Sequence, residues 1–296
     1  MRKKGTSPGV PFFIILDQNI ADMGIFDWFA KSKDNQPEPK GLGIALSGGS
    51  ARGFAHIGVL KALEEAGIHP EVVSGTSMGS LVGVLYAAGL KPDEIKEIVN
   101  KEPVLKMVRP AWGKNGLFQV TELRKLLEKH IEKDDFSVLK KPFCLAVSNI
   151  NKGQKEIISE GPLFDYVLAS CAVPIIFAPQ VIKGTTYIDG GLYDNLPADA
   201  IRSLCKTLIG VHVNYIGEVK KFNGITEVAE RTFSLSIGEN VRPAMDMCDY
   251  LIDPPAMVDF SFWDFDKADA IIETGYKFTR KMLDEGLLPV PEQPKD

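Results

Sequence analysis

The stretch that most constrains this chain is Gly75-Thr76-Ser77-Met78-Gly79, set between the apolar pair Val72-Val73 and an uncharged run reaching Leu90. A G-x-S-x-G pentapeptide at a strand-to-helix junction has the pattern of a nucleophile elbow. The turn must be sharp enough to push the serine oxygen clear of the backbone, so the serine takes a strained conformation. Gly75 and Gly79 must then be small, because strand and helix backbones nearly touch there. Ser77 also opens a helix, which puts its hydroxyl in the positive end of the helix dipole. The competing reading is a glycine-rich turn with a serine helix cap.

The uncharged run 72–90 has nearly the length of a membrane span. Its first part holds Ser74, Gly75, Thr76, Ser77, Gly79 and Ser80, too polar and glycine-rich to cross a bilayer, so it reads as a helix buried in a protein core. The strand before it is the second of a series. Residues 41–46 form a short apolar run bounded by glycine, followed by Ser47-Gly48-Gly49-Ser50-Ala51-Arg52-Gly53 and a helix over about 54–66. Strand, glycine loop, helix, strand, elbow, helix is the start of a right-handed α/β fold with parallel strands. Further strands are expected near 143–147, 155–159, 186–188 and 208–213. Helices are expected near 92–101, 121–132, 165–170, 198–204, 226–247 and 267–284. Between them, the irregular and partly apolar piece 103–120 reads as a lid over a site or as a plain connection.

With 296 residues, 45% of them hydrophobic and 25% charged, the chain has the composition of a globular protein with a large core. A net charge of -5 with scattered basic residues gives no argument for nucleic acid, and no such partner is expected. Cys144, Cys171, Cys205 and Cys248 lie far apart in apolar surroundings, which reads as free thiols in a reducing compartment rather than as a zinc site. Met1-Arg2-Lys3-Lys4 and the apolar run 10–16 imitate a signal peptide. That run contains Pro11 and meets Asp17 with no cleavage site, so a cytoplasmic protein is expected. The division expected is an N-terminal extension and linker over 1–40, one domain over 41–285 and a tail over 286–296. Ile25, Phe26, Trp28 and Phe29 in the extension suit either peripheral contact with a membrane or packing on the chain's own domain.

A hydrolytic serine needs a base and a place for the oxyanion. The loop at Gly48, Gly49 and Ser50, between a strand end and a helix start, aims several backbone N–H groups at one point. That suits a tetrahedral oxyanion or a phosphate equally. A dinucleotide site would want glycine where Ser50 stands and an acidic residue near Ser74-Gly75, and neither is present. For the base, one route is a histidine. His212 is the one histidine late in the chain, and it sits in an apolar run that reads as buried strand; His56 lies just after the glycine loop. The other route is a carboxylate acting on the serine directly, for which Asp189-Gly190-Gly191 is the candidate, an aspartate ending a strand with glycines that permit close approach.

Taken together, four features in order resemble the patatin-like phospholipase family. They are the loop 48–53, the elbow 75–79, Ala169-Ser170-Cys171-Ala172-Val173-Pro174, and Asp189-Gly190-Gly191-Leu192-Tyr193-Asp194-Asn195-Leu196-Pro197. The resemblance implies a three-layer α/β/α sandwich with a mostly parallel sheet and a Ser–Asp dyad without histidine. Ser77 would be the nucleophile and Asp189 the proton acceptor. The N–H groups of Gly48, Gly49 and Ser50 would form the oxyanion hole, with Arg52, Gly53, Gly75, Gly79, Gly190 and Gly191 supporting the motifs. Ser50 replaces a family glycine, and a positive φ there would cost about 1 kcal/mol. An aspartate base must have its pKa raised by burial or be held in contact with the serine. The implied activity is hydrolysis of lipid acyl esters, with no cofactor and no metal; the chain has no D-x-[DN]-x-[DN]-G calcium loop. Asp194 and Asp199 read as turn and surface or cap residues. Two rivals stand beside this reading: a Ser-His-Asp esterase using His212, and a lipid-binding module on the same fold that has lost catalysis.

Overall fold

The computed structural model of the chain describes residues 39–101, 121–174, 177–219, 221–222 and 224–289. The aromatic cluster of the extension and the candidate lid at 103–120 lie outside these residues. The order is β1 (Lys40–Leu46), α1 (Ala55–Glu65), β2 (Val72–Thr76), α2 (Met78–Ala87), α3 (Pro92–Lys101), α4 (Thr121–His130), β3 (Phe143–Asn149) and β4 (Gln154–Ile158). It continues with α5 (Leu163–Ser170), β5 (Gln180–Ile182), β6 (Thr185–Asp189), α6 (Asp199–Arg202), β7 (Cys205–Val211), α7 (Ile225–Asp246), β8 (Tyr250–Ile252) and α8 (Ala268–Asp284).

The eight strands of the described residues join one sheet in the order β5-β6-β3-β2-β1-β7-β8, with β4 also pairing β3. The pairs β1–β2, β1–β7, β2–β3 and β7–β8 are parallel, as expected when helices connect the strands. The pairs of β3 with β4 and β6, and of β5 with β6, are antiparallel. Strand alternation assigns the two faces. Val73, Leu46 and Phe143 surround Gly83 of α2, while Ser74, one residue on, donates to the carbonyl of Pro197 at 2.8 Å. On that second face Gly43 lies against Ile201 of α6. The sheet is therefore covered on both sides, which explains why β2 is buried along its whole length. Every residue of α2 is buried too, so its lack of charge reflects a core position. No helix of the described residues is long and apolar enough to cross a membrane.

Candidate active site

The register around β3 creates the site. Thr76, the last residue of β2, pairs with Ala146, and Asp189, the last of β6, pairs with the next residue, Val147. Both lie on the edge of β3 that β4 does not use, since β4 pairs Ile157 with Ala146 and Glu156 with Val147. A parallel strand and an antiparallel strand thus meet end to end, and their ends deliver Ser77 and Asp189 to one point. The 112 positions separating them in sequence are cancelled by consecutive rungs of one ladder.

Ser77 has φ 52° and ψ −124°, a conformation L-residues rarely adopt, costing about 1–3 kcal/mol. The glycines of the elbow make it attainable. A side chain on Gly79 would collide with the carbonyl oxygen of Leu46 and reach 2.5 Å from that of Ser47; one on Gly75 would lie 2.7 Å from the amide of Ser80. The Ser77 carbonyl accepts from the amide and hydroxyl of Ser80, at 2.8 and 2.7 Å. Its amide donates to Oγ of Ser170 at 2.9 Å, and that hydroxyl donates to the carbonyl of Ala146 at 2.8 Å. Ser170 belongs to the block 169–174, and its hydroxyl ties the strained residue to β3.

Asp189 is buried, and desolvation pushes its carboxyl up to about 6. Two hydrogen bonds restrain the rise: the Ser77 hydroxyl beside the carboxylate, and the Gly191 amide, which donates to Oδ1 at 2.8 Å. Gly190 is required because a side chain there would strike the carbonyl oxygen of Ala146. Asp189 is thus a buried carboxylate raised close to neutrality, with the Ser77 hydroxyl beside it.

The glycine loop sits across Ser77 from β3. The Gly48 amide donates to the Asn195 carbonyl at 3.0 Å, and the Gly48 carbonyl accepts from Nδ2 of Asn214 at 2.7 Å. Gly48 therefore fixes the loop with its own polar groups, and its N–H is spent within the protein. The amides of Gly49 and Ser50 donate to no acceptor among the described residues. Ser50 has φ 50°, so the position does require the glycine-like region despite its side chain. Arg52 anchors the far side of the loop, its Nε donating to the Phe260 carbonyl at 2.7 Å and its guanidinium lying 4.6 Å from the centre of the Phe262 ring. Gly53 leaves room for Met78.

His56 is fully buried, its pKa lowered to about 4 by desolvation, and its Nε2 donates to the Ser47 carbonyl at 2.7 Å. It is a neutral support of the loop. His212 lies just beyond β7, with Nδ1 2.9 Å from Oδ1 of Asp253. Its Nε2, the atom a triad would present to the serine, is enclosed and makes no hydrogen bond. Asp194 is not the surface residue expected of it: it is 4% exposed, carries an ion pair with Lys155 at 2.9 Å, and its carbonyl accepts from Oγ1 of Thr76 at 2.8 Å. The turn after Asp189 folds back under β2, so it is interior. Among the described residues no cluster of side chains could hold a metal ion.

A strained serine elbow, a buried aspartate and a glycine loop at the strand ends of a two-sided sheet define an α/β protein of the nucleophile-elbow class. Residues 44–202 match the patatin-like phospholipase family, and the chain belongs to that family. It is 30% identical to the lysophospholipase NTE1 of Coccidioides immitis, over 87% of this chain and 19% of that protein. It is 29% identical to human patatin-like phospholipase domain-containing protein 6, over 82% of this chain and 20% of that protein. The chain thus spans about a fifth of the length of these curated relatives. Among solved structures, VipD from Legionella pneumophila shares the fold with a TM-score of 0.53 at 17% identity, covering 84% of this chain and 67% of that one.

Proposed function

We propose that residues 41–285 form a hydrolase domain that cleaves carboxylic esters of lipids through Ser77 and Asp189. The observation that carries this reading is the contact of Ser77 with a buried aspartate whose pKa is raised to about 6. Asp189 takes the Ser77 proton as Oγ attacks the acyl carbonyl, and the amides of Gly49 and Ser50 hold the negative oxygen. The proton then passes to the departing alkoxide, leaving an acyl-serine. Asp189 next deprotonates a water that cleaves this ester, returning the serine. The unpartnered Nε2 of His212 favours the dyad over a triad.

A lysophospholipid or phospholipid acyl ester is the substrate class, supported by the lysophospholipase named among the relatives. Leu192 and Tyr193, just after Asp189, are 44% and 40% exposed and suit peripheral contact with a membrane. The four cysteines, all free, fit the cytoplasm. The test is fatty-acid release from lysophosphatidylcholine by wild type and Ser77→Ala. Release by wild type alone supports the reading; vesicle binding without release by wild type supports a non-catalytic lipid-binding module instead.

A further inference from the structure

Helix α7 turns Ile237, Val241 and Ala244 inward, all of them buried, and the helical repeat puts Asn240 on the same side. Asparagine is a poor helix former, and a polar group on an inward face is costly unless its hydrogen bonds are met. Here they are met by main-chain groups of one turn. Nδ2 of Asn240 donates to the carbonyls of Gly191 and Leu192, at 3.0 and 3.2 Å, and Oδ1 accepts from the Asn195 amide at 3.2 Å. The turn's own bonds, from the amides of Tyr193 and Asp194, both go to the Gly190 carbonyl, at 3.1 and 2.8 Å. One carboxamide thus secures three groups that those bonds leave over.

The same turn joins the two halves of the site. Gly191 gives its amide to Oδ1 of Asp189, at 2.8 Å, and its carbonyl to Asn240. Asn195 gives its amide to Asn240 and its carbonyl to the Gly48 amide, at 3.0 Å, directly before Gly49 and Ser50. We propose, building on the Ser77–Asp189 reading, that Asn240 is a positioning residue for hydrolysis, holding the carboxylate and the glycine loop in register about Ser77. Its hydrogen bonds go to main chain, so it acts through the turn and not on the reacting atoms. It lies beyond the residues 44–202 that match the family, so the site depends on a helix outside the matched segment. Without the carboxamide the turn can shift, and the Gly191 amide loses distance or angle at Asp189. That bond favours the charged carboxylate, so weakening it lets burial push the carboxyl higher. The other titratable groups near Asp189 are Cys171, whose thiol burial pushes up, and Asp194, raised to about 6 by burial beside Lys155 of β4. Cys171 meets Ser80 and Asp194 meets Lys155, so neither contact runs through Asn240.

The test compares wild type, Asn240→Ala, Asn240→Leu and Val241→Ala in hydrolysis of a p-nitrophenyl ester between about pH 4 and about pH 8. Leucine suits the inward face of a helix and removes every polar contact, so it carries the comparison if the alanine variant does not fold. Val241→Ala loosens the same helix and leaves the carboxamide in place. In both Asn240 variants kcat should fall on the order of 10- to 100-fold, with KM within about 3-fold of wild type. The midpoint of their kcat/KM profile should move up by at least about 0.5 pH unit. Val241→Ala should lower Tm and keep the wild-type midpoint. Asn240 variants with the wild-type midpoint overturn the proposal, whatever their loss of stability, and so does a Val241→Ala midpoint that moves as far as theirs. Labelling of Ser77 by a fluorophosphonate is followed alongside. A wild type that labels, beside Asn240 variants with unchanged midpoints, defeats the role of Asn240 alone; a wild type that neither labels nor hydrolyses defeats the dyad as well.

Discussion

Replacing Asp189 by asparagine should stabilise the fold while abolishing turnover. Burial raises the carboxyl from its ordinary 3.8 to about 6. Between those values the folded protein holds a proton that the unfolded chain has released, so stability falls as pH rises through this window and the loss is complete above it. About two pH units at about 1.4 kcal/mol each give ~3 kcal/mol. Asparagine fills the same space, keeps an oxygen for the Gly191 amide and carries no charge, so it escapes this cost. The assay is urea unfolding of both proteins at about pH 4 and about pH 8, taking the difference in unfolding free energy at each. Asp194, also raised to about 6 by burial, titrates in both proteins and cancels. The variant's advantage should grow by ~3 kcal/mol from the lower pH to the higher. A difference that does not change with pH, or one that shrinks, would refute the claim that Asp189 is a desolvated carboxylate.

Three further outcomes follow from the same geometry. The base works ionised, so kcat/KM should rise with pH and level off above about 6 as a single titration; a pH–rate profile flat between about pH 4 and about pH 8 would contradict it. Ser170→Ala strands the Ser77 amide and the Ala146 carbonyl, which should cost about 1–3 kcal/mol in thermal or urea unfolding and lower kcat more than it raises KM. Gly79→Ala forces a methyl into the backbone carbonyls of Leu46 and Ser47, which should destabilise the protein by at least ~2 kcal/mol, visible as a lowered Tm.

The α/β scaffold was legible because its cues are local. Glycines at the loop and the elbow, uncharged helix α2 and apolar runs of strand length locate β1, β2, β3 and β7 to within a few residues. What was not legible depends on pairing. The three-residue strands β5 and β8 have no pattern of their own and exist through hydrogen bonds to β6 and β7. The approach of Asp189 to Ser77 rests on the Ala146 and Val147 rungs of β3, which no spacing reveals. Asn214, whose carboxamide holds the Gly48 carbonyl, carries no cue in the sequence, because asparagine suits a turn whether or not its carboxamide is aimed at a loop. Asp194 was misplaced for the same reason: an aspartate in a turn looks solvated until the turn folds under the sheet. Ser50 is the reverse case, where a departure from glycine in the sequence coincides with a backbone that keeps the glycine-like φ.

The most direct test of the account is the rate of fluorophosphonate labelling in wild type, Ser77→Ala, Asp189→Asn and His212→Ala. The phosphonyl group imitates the tetrahedral intermediate, so it interrogates nucleophile, base and oxyanion amides together without a chosen substrate. The account predicts labelling of wild type and of the His212 variant at similar rates, and its loss in the Ser77 and Asp189 variants. Labelling that survives in Asp189→Asn and disappears in His212→Ala would contradict the dyad and return the base to histidine.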